Sequence, residues 1–193
     1  DTHWDPELWG KRDELKAQIA SAKAIVVRNG TLVDVDLLDA AHNLKVVARM
    51  GVGLDTIDVE ACKARGIEVC PSIGANAVSV AEYVIASAMV LLRGPTYFAT
   101  ADVAAGSWDR PKFAGASEIA GRVMGIVGFG AIGQVVGEKA RGMGMEVIAY
   151  DAMMPGDHPA WADARRVELD DLVAEADVIS LHCPKLPETI DLM

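Results

Sequence analysis

The chain has 193 residues, 51% of them hydrophobic and 24% charged, which is enough apolar material for one large or two small cores. Its net charge of −10 makes nucleic acid and anionic membrane surfaces poor partners, and an acidic ligand would need a local cluster of arginines. Three cysteines without metal-ligand spacing (Cys62, Cys70 and Cys183) predict reduced, buried thiols in a cytoplasmic protein and no metal site.

Residues 6–22 read as a helix behind a "DPE" start. "AIVVR" (24–28) is a short buried strand closed by an "NGT" turn, and residues 34–41 are a helix. "KVVARM" (45–50) is a second strand, followed by the loop "GVGLD". Residues 58–66 form a helix stopped by Gly66, and "IEVC" (67–70) is a third strand ended by Pro71. A long helix is expected from Asn76 to about Arg93, broken by Gly94-Pro95. Its apolar stretch "VSVAEYVIASAMVLL" (78–92) is too short for a membrane span and contains Glu82, so a buried helix is expected. Residues 99–121 are mixed and polar and read as a crossing between two domains. Then come a strand at 123–127, a helix at 131–142 and a strand at 146–150. A loop rich in Met, Pro and Gly precedes a helix at 168–176 and a strand at 178–182. Strands alternating with helices imply parallel sheets with helices on both faces.

Gly128-Phe129-Gly130-Ala131-Ile132-Gly133 is G-x-G-x-x-G, a weak signal by itself. Here a strand precedes it, a helix follows, and Asp151 closes the next strand 18 residues after Gly133, near the spacing of about 20 for dinucleotide sites. Gly128 allows the tight turn. Gly130 lets a pyrophosphate approach the backbone, and Gly133 lets helix and strand pack closely. The helix start offers unpaired N–H groups and a partial positive charge. Asp151 suits the ribose hydroxyls and would repel a 2′-phosphate, favouring NAD over NADP. The alternative is an ordinary βαβ unit with a glycine turn.

With these features the sequence resembles the D-isomer-specific 2-hydroxyacid dehydrogenase family. The match rests on "RNGT" (28–31), "ARMGVGLDTIDVEACKARGI" (48–67), "NAVSVAEY" (76–83), "EIAGRVMGIVGFGAIG" (118–133) and "ADVISLHCPKLPET" (176–189). The resemblance implies an α/β protein with two doubly wound parallel-sheet domains. These are a flavodoxin-like substrate domain, expected over residues 1–100, and a Rossmann NAD domain, expected over 101–193, each incomplete in this chain. It implies an oxidoreductase that moves hydride between NAD and a small anionic 2-hydroxy acid, and a cytoplasmic homodimer paired through the cofactor domain. The family's Arg–acid–His catalytic set is expected beyond Met193, so no catalytic residue is expected here.

By the same resemblance Gly51, Val52 and Gly53 hold the substrate carboxylate, which suits an anion nest of backbone amides. A plain strand-to-helix turn is the alternative. Asn76 is either a substrate neighbour or a helix cap. Arg28 and Arg49 end two strands and match arginines that hold a distal anion in phosphoglycerate dehydrogenases, which would place both in the interdomain cleft. Alternatively they are surface charges beside Asp34 and Asp55. That pair points to a substrate with a second anionic group, such as a phosphate or sulfonate. His182, Cys183, Pro184 and Thr189 match the H-x-P-x-x-x-x-T loop along the cofactor, in which the histidine is not the catalytic one. His3, His42 and His158 are read as solvated. A non-enzymatic, NAD-responsive corepressor-like protein on the same fold is the competing reading.

Overall fold

A computed structural model describes residues 2–193. The chain forms two compact units, one ending at Ala75 and the other running Asn76–Met193.

In the first unit a 3-10 turn (Leu8–Gly10) leads into α1 (Arg12–Ile19), β1 (Ala24–Val27), α2 (Val35–Ala40), β2 (Val46–Arg49), α3 (Val59–Ala64) and β3 (Glu68–Pro71). The strands are parallel in the order β1-β2-β3, with Val27 beside Arg49 and Arg49 beside Pro71. Leu15, Ile19, Leu37, Leu38 and Cys62 bury the sheet face carrying Val27 and Val47. Val26, on the other face, is 64% exposed. Asp34 and Asp58 cap α2 and α3, accepting from Leu37 N–H at 3.0 Å and Ala61 N–H at 2.8 Å. Gly66, at φ 66°, turns the chain out of α3. The helix expected over 6–22 is instead a turn and a shorter helix separated at Lys11, after Gly10, a residue that weakens helix interiors.

The second unit opens with α4 (Ala77–Arg93), a 3-10 turn (Gly94–Phe98), α5 (Thr100–Ala104) and α6 (Arg110–Phe113). Then follow β4 (Val123–Val127), α7 (Ala131–Gly142), β5 (Glu146–Tyr150), a 3-10 turn (Pro159–Asp163), β6 (Arg165–Arg166), α8 (Leu169–Glu175), β7 (Val178–Leu181) and a last 3-10 turn (Pro187–Thr189). All four strands are parallel, in the order β6-β5-β4-β7.

Helices cover both faces of this sheet. Met124, Ile126, Val147 and Ala149 pack with α7 and with Ala81 and Ala88 of α4. Val127 and Ile148 pack with Leu172 of α8. A strand buried on both faces reads as a continuous apolar run, which "VMGIV" is. Gly125 makes the second contact possible, since a Cβ there would lie 2.7 Å from Leu172 Cδ2 and 2.8 Å from Ala176 Cβ. Asp177, just before β7, ties that strand to the start of β4: it accepts from Val123 N–H at 2.8 Å and pairs with Arg122 at 3.0 Å. That backbone bond, with help from Arg122, holds its carboxyl below the usual range.

One expectation shifts here. α4 is not buried all round. Ala77, Ala81 and Ala88 are buried, while Val78 is 55% and Tyr83 and Leu91 are each 73% exposed, because small residues face α7 and large ones face away. The compact units divide at 75/76, and α4 and the segment 99–121 belong to the second. Backbone bonds from Ser117 N–H to Leu92 O and from Gly121 N–H to Gly144 O, each 2.8 Å, fasten that segment.

Candidate functional site

In chain order the strands of the second sheet run third, second, first, fourth. The connection therefore reverses direction between β4 and β7, and the carboxyl ends of strands at such a reversal are where open α/β sheets bind ligands. The glycine turn lies at that point.

Gly128 has φ 92°, and a Cβ there would come within 2.6 Å of Cys183 N and 2.7 Å of His182 C. The backbone after β7 thus closes directly on the turn, and only glycine fits both the conformation and the contact. Gly130 differs: a Cβ there would meet nothing within 4 Å. The space over the start of α7 is open, and Gly130 and Ala131 are exposed. The first amides of α7 have no carbonyl partner within the helix. A pyrophosphate fits this cradle of N–H groups at the positive end of a twelve-residue helix. Gly133 is packed: a Cβ would collide with Gly128 O and lie 3.1 Å from Ile126 Cγ2.

Phe129 and Ile132 contribute only their backbones to this surface. The Phe129 ring is wholly buried and stacks on Trp161, centroids 5.4 Å apart and planes 14° apart, and Ile132 packs on the same core. Gln134 Nε2 donates to Phe129 O at 2.9 Å. Asp151 lies across the turn. Its Oδ2 accepts from Phe129 N–H at 2.8 Å, and its Oδ1 accepts from Met153 N–H at 2.8 Å and Met154 N–H at 2.9 Å. The acid is therefore a staple between the glycine turn and the loop after β5, and the fourth of its roughly four acceptor sites is left for a ligand hydroxyl. Trp161, Gln134 and this stapling role were not foreseen. An isolated Trp in a loop of Met, Pro and Gly was the available signal for the first.

His182 donates its backbone N–H to Val127 O at 2.7 Å, and its Nε2 lies 2.9 Å from Ser180 Oγ. Burial pushes its imidazole below the usual range, so it is neutral at neutral pH. Thr189 Oγ1 accepts from Leu186 N–H at 2.8 Å and bonds Pro184 O at 2.7 Å, closing the loop that starts at Cys183. His158 is half-buried rather than solvated. Its Nδ1 accepts from Ala160 N–H at 3.2 Å and caps the 3-10 turn beneath Phe129.

In the first unit Arg28 and Arg49 both stand at the carboxyl edge of the sheet, with Val27 in register with Arg49. Among the described residues neither pairs with an acid; Arg12 engages Asp34 instead. Arg28 is exposed. Arg49 turns back on its own loop, donating to Met50 O and Gly53 O. Gly51 N–H is bonded to Arg49 O at 2.9 Å, so of the three candidate nest amides Val52 and Gly53 remain uncommitted. Asn76 precedes α4 in the second unit, is exposed and makes no capping bond, so the capping alternative is not observed.

A parallel sheet in this order, with a glycine turn opening a helix at its switch point and an acid closing the second strand, defines a dinucleotide-binding Rossmann domain. Residues 85–193 match the family model described as "D-isomer specific 2-hydroxyacid dehydrogenase, NAD binding domain", and the chain belongs to that family. The (S)-sulfolactate dehydrogenase of Chromohalobacter salexigens is 43% identical over 182 residues, covering 94% of this chain and 58% of that protein. The D-3-phosphoglycerate dehydrogenase of Mycobacterium tuberculosis is 42% identical over 184 residues, covering 94% and 34%. Among solved structures, the D-lactate dehydrogenase of Aquifex aeolicus complexed with NAD and lactic acid superimposes with a TM-score of 0.77 at 30% identity, over 90% of this chain and 52% of that one. The chain spans less than two thirds of each of these proteins.

Proposed function

We propose that the protein carrying this chain is an NAD-dependent oxidoreductase acting on a small 2-hydroxy acid or the matching 2-keto acid. The observation that carries this is the open amide cradle over Gly130, stapled by Asp151 and closed from behind by residues 182–183. Bound NAD would supply the hydride acceptor. The chain's residues hold it: the amides of residues 130–133 at the pyrophosphate, Asp151 at the ribose, and the 182–189 loop along the adenosine side. Asp151 disfavours a 2′-phosphate there by charge.

The substrate carboxylate is assigned to the 51–53 loop with Arg49, and Asn76 is assigned to substrate binding. Arg28, exposed at the next strand end and without an ion pair among the described residues, favours an acid with a second anionic group. Two of the relatives named above are named for sulfolactate and phosphoglycerate, acids of that kind. His182 is not assigned the proton transfer, because its ring is half-buried and bonded to Ser180. The relatives named are all dehydrogenases, which favours turnover over the corepressor-like alternative. A homodimer is proposed, with the exposed apolar residues of α4 in its interface. Among the described residues no helix is long and apolar enough to cross a membrane, and a cytoplasmic location is proposed.

The test is turnover by the full-length protein on 2-keto acids with and without a distal phosphate or sulfonate, each with NADH and with NADPH. NADH oxidation favouring the doubly anionic acids is expected. No oxidation with any of them would refute the function.

A further inference from the structure

The loop from Asp151 to Asp163 grips Phe129 twice. At its near end the Asp151 carboxylate accepts from the Phe129 amide at 2.8 Å. At its far end the Trp161 indole lies almost parallel to the Phe129 ring, 5.4 Å centre to centre. The other sides of Phe129 are taken as well. Gln134 Nε2 donates to its carbonyl at 2.9 Å, and a Cβ on Gly137 would lie 3.3 Å from ring atom Cε2. Phe129 is wholly buried, and its two peptide groups join it to Gly128 and Gly130. The tilt of its ring and the direction of the amides in the glycine turn are therefore set together.

Trp161 is itself held from several directions. Its indole N–H donates to Pro155 O at 2.8 Å, and the Arg166 guanidinium sits over the ring, 5.5 Å from its centre. A Cβ on Gly156 would come within 2.5 Å of Arg166 Nη1, so the loop backbone closes on that guanidinium. His158 Nδ1 caps the 3-10 turn that carries the indole. Arg141 of α7 fastens the end of that turn, donating to Asp163 O and pairing with Asp163 Oδ1 at 3.3 Å. An aliphatic side chain could fill this part of the core. It could not present a flat face to Phe129 while donating to Pro155 from the ring edge.

We propose that Trp161 is a positioning residue for the dinucleotide, acting through Phe129. It keeps the glycine-turn amides aimed at the pyrophosphate before the cofactor arrives, and the loop that carries it keeps Asp151 in a fixed place relative to them. Without the stack the turn has to be ordered on binding, and that cost is read as lost affinity. The inference rests on the proposed cofactor site and adds to it a residue behind the cradle rather than in it.

The experiment compares full-length protein with its Trp161→Leu, Trp161→Phe and Arg141→Gln variants. Calorimetry gives the affinity for NADH and for ADP-ribose, which lacks the nicotinamide. Circular dichroism gives Tm, and kcat and the KM of the acid are taken at saturating NADH. Trp161→Leu is expected to bind both nucleotides about two- to ten-fold more weakly, the range of one aromatic pair, with kcat and acid KM little changed. Trp161→Phe keeps a ring on Phe129 and should stay within about two-fold of wild type. Arg141→Gln leaves the core intact and loosens the end of the turn, and should weaken NADH about two- to five-fold. A merely structural indole would lower Tm and leave the affinity of the folded protein unchanged. Wild-type NADH affinity in folded Trp161→Leu, or in Arg141→Gln where the leucine variant does not fold, would overturn the positioning role. A phenylalanine variant as weak as the leucine one would do the same. Wild-type protein that binds no NADH would instead sink the cofactor site.

Discussion

Gly130→Ala should separate folding from cofactor binding. The backbone at 130 has φ −74° and ψ −158°, an extended conformation open to any L-residue, and the added methyl meets nothing within 4 Å. Alanine is a poorer helix cap than glycine but reduces the freedom of the unfolded chain. These effects offset, leaving a net change within about 1 kcal/mol, or roughly 4 °C in Tm for a chain of this size. The same methyl stands over the open amides of α7. A pyrophosphate would have to retreat and lose one charge-assisted bond, about 1.5–3 kcal/mol, so NADH affinity should fall about ten- to hundred-fold. Gly133→Ala is the opposite case. Its methyl would collide with the Gly128 carbonyl, a backbone atom that cannot swing aside, and overpacking of this kind costs about 1–3 kcal/mol or more. Thermal unfolding followed by circular dichroism and NADH titration by calorimetry measure the two quantities. Wild-type NADH affinity in Gly130→Ala, or a wild-type Tm in Gly133→Ala, would refute the reasoning.

Asp151→Ser should weaken NADH binding about ten-fold and narrow discrimination against NADPH, because one serine oxygen is too short to hold the amides of Phe129 and of Met153 and Met154 at once; equal use of both cofactors by the wild type would count against the assignment. His182 makes a pH prediction. The unfolded imidazole takes its proton near pH 6.5, whereas the half-buried one in the fold does so at lower pH. The unfolded state therefore binds more protons just below 6.5, and stability falls as pH falls through that window, by at most about 1.4 kcal/mol per pH unit from this group. His182→Gln should flatten that part of the Tm–pH curve, and an unaltered curve would show that burial of the imidazole is not felt. Light scattering of the full-length protein should give the mass of a dimer at micromolar concentration. Tyr83→Glu or Leu91→Glu on the open face of α4 should shift it toward monomer, and a stable wild-type monomer would remove the interface.

The βαβ core around the glycine turn was legible because both burial and backbone constraint leave marks in sequence. A strand covered on two faces must be apolar throughout, and a backbone that closes on its neighbour must be glycine. β6 left no such mark: Arg165 and Arg166 are exposed at the sheet edge and carry no apolar signal. α4 shows the converse failure, since an all-round apolar helix does not reveal which of its sides another element will cover. At the site, the spacing of Asp151 was readable but not its three backbone bonds, because an acid's sequence position says nothing about where its oxygens turn. Arg49 is similar. Its place at a strand end suggested an outward charge, and the carbonyls of Met50 and Gly53 draw the guanidinium back.

Trp161 gives the molecule an optical consequence. Of the four tryptophans, Trp4, Trp9 and Trp108 are 80%, 61% and 67% exposed, while Trp161 is half-buried against Phe129. Its indole N–H donates to Pro155 O at 2.8 Å, and the Arg166 guanidinium lies 5.5 Å from the ring centre. Three indoles therefore emit from water and are open to a dissolved quencher. The fourth emits from beneath the glycine turn, partly shielded from the quencher and close to where a reduced nicotinamide cofactor would absorb its light. With the three outer tryptophans replaced by phenylalanine, the fluorescence of the protein would become a single-site readout of the turn itself.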